Sequence, residues 1–161
     1  MYESEVINLV KSKTAFMGTV DENRPRVRPM RPYIDADGQI WLFSRFDTKK
    51  VSELQQNPRV ELCFVGDNQE VLTIYGRVKD STKPGDPEFR VRRDLMAADV
   101  PDMKQYFAAG DIDSMVIYRL RVHEIRYMRE NCELTTQVNL PMEHDPEVEL
   151  AMCQGGFCLI E

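Results

Sequence analysis

The sequence contains no apolar run approaching the roughly 20 residues that a membrane-spanning helix needs, so no membrane partner is expected. Its opening stretch, MYESEVINLVKSK, lacks the basic-then-apolar layout of a secretory leader, and a cytoplasmic chain is expected. Positive charge is in deficit. Lys+Arg total 21 against 27 Asp+Glu, a net −6. Phosphate-backbone affinity needs net positive surface, so nucleic acid is excluded as the expected partner. G-x-S-x-G, P-loop and G-x-G-x-x-G motifs are all absent, which removes the commonest hydrolase and nucleotide signatures. Cysteine is scarce, with four residues in a chain read as unexported, and these are expected as reduced thiols. Cys132, Cys153 and Cys158 lie with His144 near the C-terminus, but not in the two paired spacings of a zinc finger, so no metal site is expected. Cys153 and Cys158 flank Gly155-Gly156, which leaves a redox pair open, while Cys63 reads as core.

What is present fits one ordinary domain of 161 residues, with 42 % hydrophobic and 30 % charged residues. The charge is uneven. After Arg129 there is no Lys or Arg, and residues 130–161 hold seven acids. Residues 1–129 are therefore read as the folded domain and 130–161 as an acidic extension. That extension either faces water or packs on a basic part of its own or a partner subunit.

Residues 3–11 can form a short helix with Val6, Ile7 and Val10 on one side. Strands are expected at Thr14–Val20, Arg26–Ile34, Gly38–Arg45, Val60–Val65, Val71–Lys79 and from Met115 to Val122 or beyond. Asp35-Ala36-Asp37-Gly38 reads as a hairpin turn, and Gly76 as a bulge or close backbone approach. Helices are expected at Thr48–Asn57, from Asp86-Pro87 to about Ala97, near Asp102–Ala109, and from Asp145 to Met152. Six short strands with few helices predict a mainly β fold, a closed or partly closed antiparallel barrel.

Two basic clusters stand out. In Arg24-Pro25-Arg26-Val27-Arg28-Pro29-Met30-Arg31-Pro32, strand periodicity puts Arg24, Arg26, Arg28 and Met30 on one side. Pro25, Pro29 and Pro32 remove three ladder donors, so this is either a solvated edge strand or a strand whose free backbone serves a ligand. The second cluster, Ser44-Arg45-Phe46-Asp47-Thr48-Lys49-Lys50, joins an apolar strand to a helix start. Lys49 and Lys50 fall in the helix's first turn, where the dipole disfavours cations. A bound anion reverses that sign, and two ammonium groups, a hydroxyl and free N–H groups make a phosphate site. Surface lysines on an exposed helix are the alternative.

In order, N-R-P-R-V-R-P-M, D-G-Q-I-W-L-F-S, T-K-K-V-x-E-L, N-P-R-V-E-L-C-F and a strand ending I-Y-G-R-V resemble the pyridoxamine-5′-phosphate-oxidase-like flavoproteins, in the general-stress-protein branch of the FMN-binding split-barrel superfamily. The resemblance covers about residues 5–125. It implies a six-stranded antiparallel split barrel that forms a homodimer, with FMN in each of two clefts between subunits. By position, Arg28 matches the arginine that reaches the flavin phosphate. Pro29 and Met30 match the segment along the isoalloxazine ring. Ser44 matches a cofactor-contacting Ser/Thr at the strand end. Thr48, Lys49 and Lys50 match the phosphate-binding Ser-Arg-Lys triplet, with lysine replacing a bidentate arginine. The substrate half of the pattern is missing. Tyr33 stands where the oxidases carry a lysine, Val71 where they carry a glutamine, and no basic residue follows Arg129. The resemblance therefore implies an FMN-dependent oxidoreductase on an unidentified small substrate, not a true pyridoxamine phosphate oxidase. A flavin-carrying or ligand-binding stress or sensor protein without turnover is the rival. The catalytic residues are not identified by the sequence, since flavin chemistry needs no dedicated acid or base.

Overall fold

A computed structural model describes residues 3–100, 114–129 and 136–138 of the chain. Helix α1 (Glu3–Ser12) is followed by strands β1 (Ala15–Asp21), β2 (Arg24–Met30), β3 (Tyr33–Ile34) and β4 (Ile40–Arg45). Helix α2 (Lys49–Gln56), strands β5 (Arg59–Val65) and β6 (Val71–Thr82), helix α3 (Pro87–Asp99), and strands β7 (Met115–Met128) and β8 (Thr136–Gln137) complete it. All strand pairs are antiparallel, in the order β2-β1-β5-β6-β7-β4-β3, with β8 on β7.

The fold is thus the expected β-dominated split barrel with flanking helices, built of eight strands rather than six. One extra strand arises because the expected Arg26–Ile34 run breaks at Arg31-Pro32. Pro32 has no N–H for a ladder, and Arg31 donates instead to the Lys11 carbonyl at the end of α1 (2.7 Å). The other is β8, beyond Arg129, which pairs with Arg126 and Tyr127. The helices expected near Asp102–Ala109 and Asp145–Met152, Gly110, the Gly155-Gly156 turn, and Cys132, His144, Cys153 and Cys158 lie outside the described residues.

Strand alternation decides what faces inward. Met17, Leu62, Phe64, Leu72, Ile74, Leu42, Leu120 and Ile125 fill the interior. α1 adds Val6, Leu9 and Val10, while α2 adds Val51 and Leu54. β4 is buried on both faces: Trp41 and Phe43 join Phe89 and Met96 of α3 in a second cluster outside the sheet. α2 packs against β1 and β4, each next to the last strand at its end of the order, and so bridges the two sides of the curled sheet. That placement brings the two basic clusters together. Gly38 turns the β3–β4 hairpin at φ 80°. Gly76 sits at a register shift where a Cβ would overlap the Arg121 carbonyl oxygen, so bulge and close approach coincide.

Candidate functional site: a cationic cluster under helix α2

β2 is an edge strand, where proline is tolerated. Pro25, Val27 and Pro29 face outward and are exposed, whereas Arg26 and Arg28 are half-buried on the inner side and Met30 is buried in the core. Arg24, at the strand's start, is exposed. Arg28 reaches under α2 and pairs with Glu53, a carboxylate only 3 % exposed. The same guanidinium nitrogen donates to Thr19 Oγ1 (2.8 Å), and Thr19 donates to Glu53 Oε2 (2.8 Å). Thr19 itself is buried on β1.

Lys50, half-buried on α2, belongs to the same group. Burial first, and then the Arg28 charge, pushes its ammonium below the ordinary lysine range, while Glu53 works the other way. Lys49 takes a different route. Its ammonium sits 2.9 Å from Asp21 at the end of β1, and Arg26 approaches the same carboxylate at 3.3 Å. Lys49 and then Arg26 hold the Asp21 carboxyl below its usual range. The two lysines expected to act together therefore separate: Lys50 joins Arg28, and Lys49 joins a surface ion pair.

At the head of α2, Ser44 is buried at the end of β4, and its hydroxyl lies 2.9 Å from Thr48 Oγ1. Thr48 donates to the Arg45 carbonyl (2.9 Å), and Asp47 is held by Arg45 through two hydrogen bonds (2.9 and 3.1 Å). Neither side chain caps the helix, although Thr48 occupies the N-cap position. Among the described residues the first-turn amides of α2 have no side-chain acceptor, and they lie beside Ser44, Thr48 and Lys50. An uncapped helix start flanked by two half-buried cations suits a phosphate group, so these residues fit the phosphate end of a flavin nucleotide.

Sequence reasoning missed Glu53, Thr19 and Asp21. Glu53 carries a legible signal: it stands three residues after Lys50 and hence on the same face of α2. Thr19 and Asp21 are brought in only by the β1–β2 register, which places Thr19 opposite Arg26 and Asp21 opposite Arg24. Among the described residues no three of His, Cys, Asp and Glu converge as a metal site, and no helix is long and apolar enough to cross a membrane. His123 packs edge-on against Tyr75, with ring centroids 5.3 Å apart.

A curled antiparallel sheet with flanking helices, and a cluster of basic side chains beneath one of them, defines the class of protein: a split barrel. The chain belongs to the pyridoxamine 5′-phosphate oxidase family, whose model matches residues 4–129. The family typically binds flavin and is generally dimeric. No curated protein matches the chain in sequence. Among solved structures, the fold is similar to a NimC/NimA family protein of Clostridium acetobutylicum (21 % identity, 86 % of this chain and 94 % of that one, TM-score 0.65). It is also similar to a protein of the same organism related to general stress protein 26 of B. subtilis, of the pyridoxine phosphate oxidase family (23 %, 85 % and 94 %, 0.63). A third similar fold is a heme binding protein of Mycobacterium smegmatis (17 %, 85 % and 56 %, 0.64).

Proposed function

We propose that the protein is an FMN-binding flavoprotein of the general-stress-protein branch, an oxidoreductase on a small substrate that is not pyridoxine or pyridoxamine phosphate. The observation that carries this reading is the convergence of Arg28 from β2 and Lys50 from α2 at a helix start that no side chain caps among the described residues. Arg28, Lys50, Thr48 and Ser44 would hold the flavin phosphate. Lys49 contributes mainly long-range charge, because Asp21 already engages it. Bound FMN supplies hydride acceptance. The chain's own part is to bind the phosphate, to orient the ring along Pro29–Met30, and to exclude water.

The cleft lies between two copies of the chain. Support comes from the outer face of β2, β1 and β5, which presents Phe16 (49 % exposed), Val27 (70 %) and Val65 (49 %), with Pro29 opposite Phe16. A contiguous apolar face of this kind marks an interaction surface. The other exposed large apolar side chains among the described residues, Phe46, Val91 and Leu95, lie on the loop after β4 and on α3.

The substrate reading rests on charge. A second phosphate needs cations of its own, since burying it unpaired is costly. Residues 130–161 supply seven acids and no Lys or Arg. That charge balance favours a neutral or cationic substrate.

The deciding experiment is the absorption spectrum of the purified protein after incubation with FMN and, separately, with heme. A bound flavin spectrum supports the proposal, and a Soret band without flavin uptake overturns it. Reduction of the bound flavin by NAD(P)H and reoxidation by acceptors, faster than for free FMN, then separates an oxidoreductase from a flavin-carrying sensor.

A further inference from the structure

We propose that Glu53 is a positioning residue for the phosphate pocket: its buried carboxylate, with Thr19, clamps Arg28 from inside the barrel and places a counter-charge between Arg28 and Lys50. The inference rests on the phosphate reading of this pocket and adds a residue to it.

The geometry forms a closed triangle. Arg28 Nη2 donates to both Glu53 Oε2 and Thr19 Oγ1, and Thr19 donates to the same carboxylate oxygen. One terminal nitrogen is thereby fixed from the inner side. Among the described residues, the other guanidinium nitrogens of Arg28 donate to nothing, so the remaining donors of the fork are available to an anion. A guanidinium already held in one orientation loses less freedom on binding than a free one.

The electrostatics need the carboxylate as well. Arg28 and Lys50 are like charges, both half-buried, and each disfavours the other's charged form. Arginine does not surrender its proton, so the pair would resolve its repulsion at Lys50. Glu53, three residues along the same helix face, opposes that. The other charges nearby are spoken for. On α2, Lys49 faces Asp21 of β1, which Arg26 of β2 shares. At the head of the helix, Arg45 and Asp47 pair with each other, and Ser44 and Thr48 are neutral. Glu53 is therefore the anion within the pocket that offsets the two cations before a phosphate arrives.

The test compares FMN with riboflavin, which shares the ring and its ionisation but lacks the phosphate. Affinities are measured by fluorescence quenching from about pH 7 to about pH 10, and the ratio of the two isolates the phosphate contact. In the wild-type protein the ratio should favour FMN and fall at high pH as Lys50 deprotonates. In Glu53→Gln, which keeps the acceptor oxygen and removes the charge, that fall should move down by about one pH unit or more, while Glu53→Asp should leave it near the wild-type position. A Glu53→Gln fall that superimposes on the wild-type curve, with FMN still preferred, overturns the role of Glu53 alone. A wild-type protein that binds riboflavin as well as FMN overturns the phosphate reading and this proposal with it. Should Glu53→Gln fail to fold, Thr19→Val loosens the same clamp without changing charge. Its ratio should drop by about fivefold with the high-pH fall unmoved, and an unchanged ratio overturns the clamp.

Discussion

Lys50 is half-buried beside Arg28, whereas Lys49 is 65 % exposed and bonded to Asp21, although the two are neighbours in sequence. Removing either cation that faces the pocket should cost FMN a charge-assisted hydrogen bond. Arg28→Ala and Lys50→Ala should each weaken FMN binding by about 1.5–3 kcal/mol, measured by flavin fluorescence titration. Lys49→Ala removes a solvent-exposed ion pair and should weaken FMN by less than about 1 kcal/mol. Equal losses at Lys49 and Lys50 would show that the two lysines act as one pair after all. Arg28→Ala also leaves Glu53 buried without its cation, so its fold stability should be measured alongside binding.

Among the described elements, the β6–β7 pair is the longest ladder and carries a close backbone approach at Gly76. The obstacle to a side chain there is the Arg121 backbone, which cannot swing away as a flexible side chain could. Gly76→Ala should lower stability by about 1–3 kcal/mol in denaturant unfolding. The α3–sheet contact has a spectroscopic handle. Tyr33 of β3 donates to Asp99 at the end of α3 (3.1 Å). Burial, and then that hydrogen bond, raises the phenol from 10.0 to about 12. A folded value above the unfolded one means that this contribution to stability is complete below about pH 10 and is lost as pH rises through about 12. Ultraviolet titration should show Tyr33 ionising late, and Tyr118, whose phenol burial also raises, is told apart from it by the Asp99 variant. Asp99→Asn should bring Tyr33 partway down, leaving the burial effect in place.

For the molecule as a whole, the apolar outer face of β2, β1 and β5 predicts a homodimer. Phe16→Asp places a charge on that face without entering the barrel's own core, because Phe16 is exposed on the chain. Sedimentation should show the wild type as a dimer and Phe16→Asp as a folded monomer with weakened FMN binding. A wild-type monomer that retains flavin at micromolar concentration would remove the interfacial cleft. The charge distribution predicts that pyridoxamine phosphate is not turned over at the rate of about 1 per second typical of enzymes. Steady formation of pyridoxal phosphate at that rate would overturn the substrate reading, and Arg24 or Arg31 would be the first residues to examine.

Local chemistry was legible in the residues themselves. Alternation in Val60–Val65, the Asp35–Gly38 turn, Pro87 at a helix start and Gly76 in mid-strand each depend on neighbours a few positions away, and the structure places them as the pattern implies. Asp86 holds the N-cap position of α3, but its carboxylate accepts from the Lys83 amide instead (2.7 Å). The ordered basic motifs pointed to Arg28, Lys49 and Lys50 without distinguishing the two lysines. The break at Arg31-Pro32 was less legible, because the alternative partner for Arg31 is the end of α1, some twenty positions earlier in the chain. Which lysine enters the pocket, and that a carboxylate waits there, depends on the angle at which α2 crosses β1 and on the β1–β2 register. Residue types and spacing determined the strands, the turns and the cationic character of the site. Only the tertiary structure decided that Glu53 and Thr19 hold Arg28 while Asp21 takes Lys49, because those pairings join strands and a helix through space, and no local periodicity encodes them.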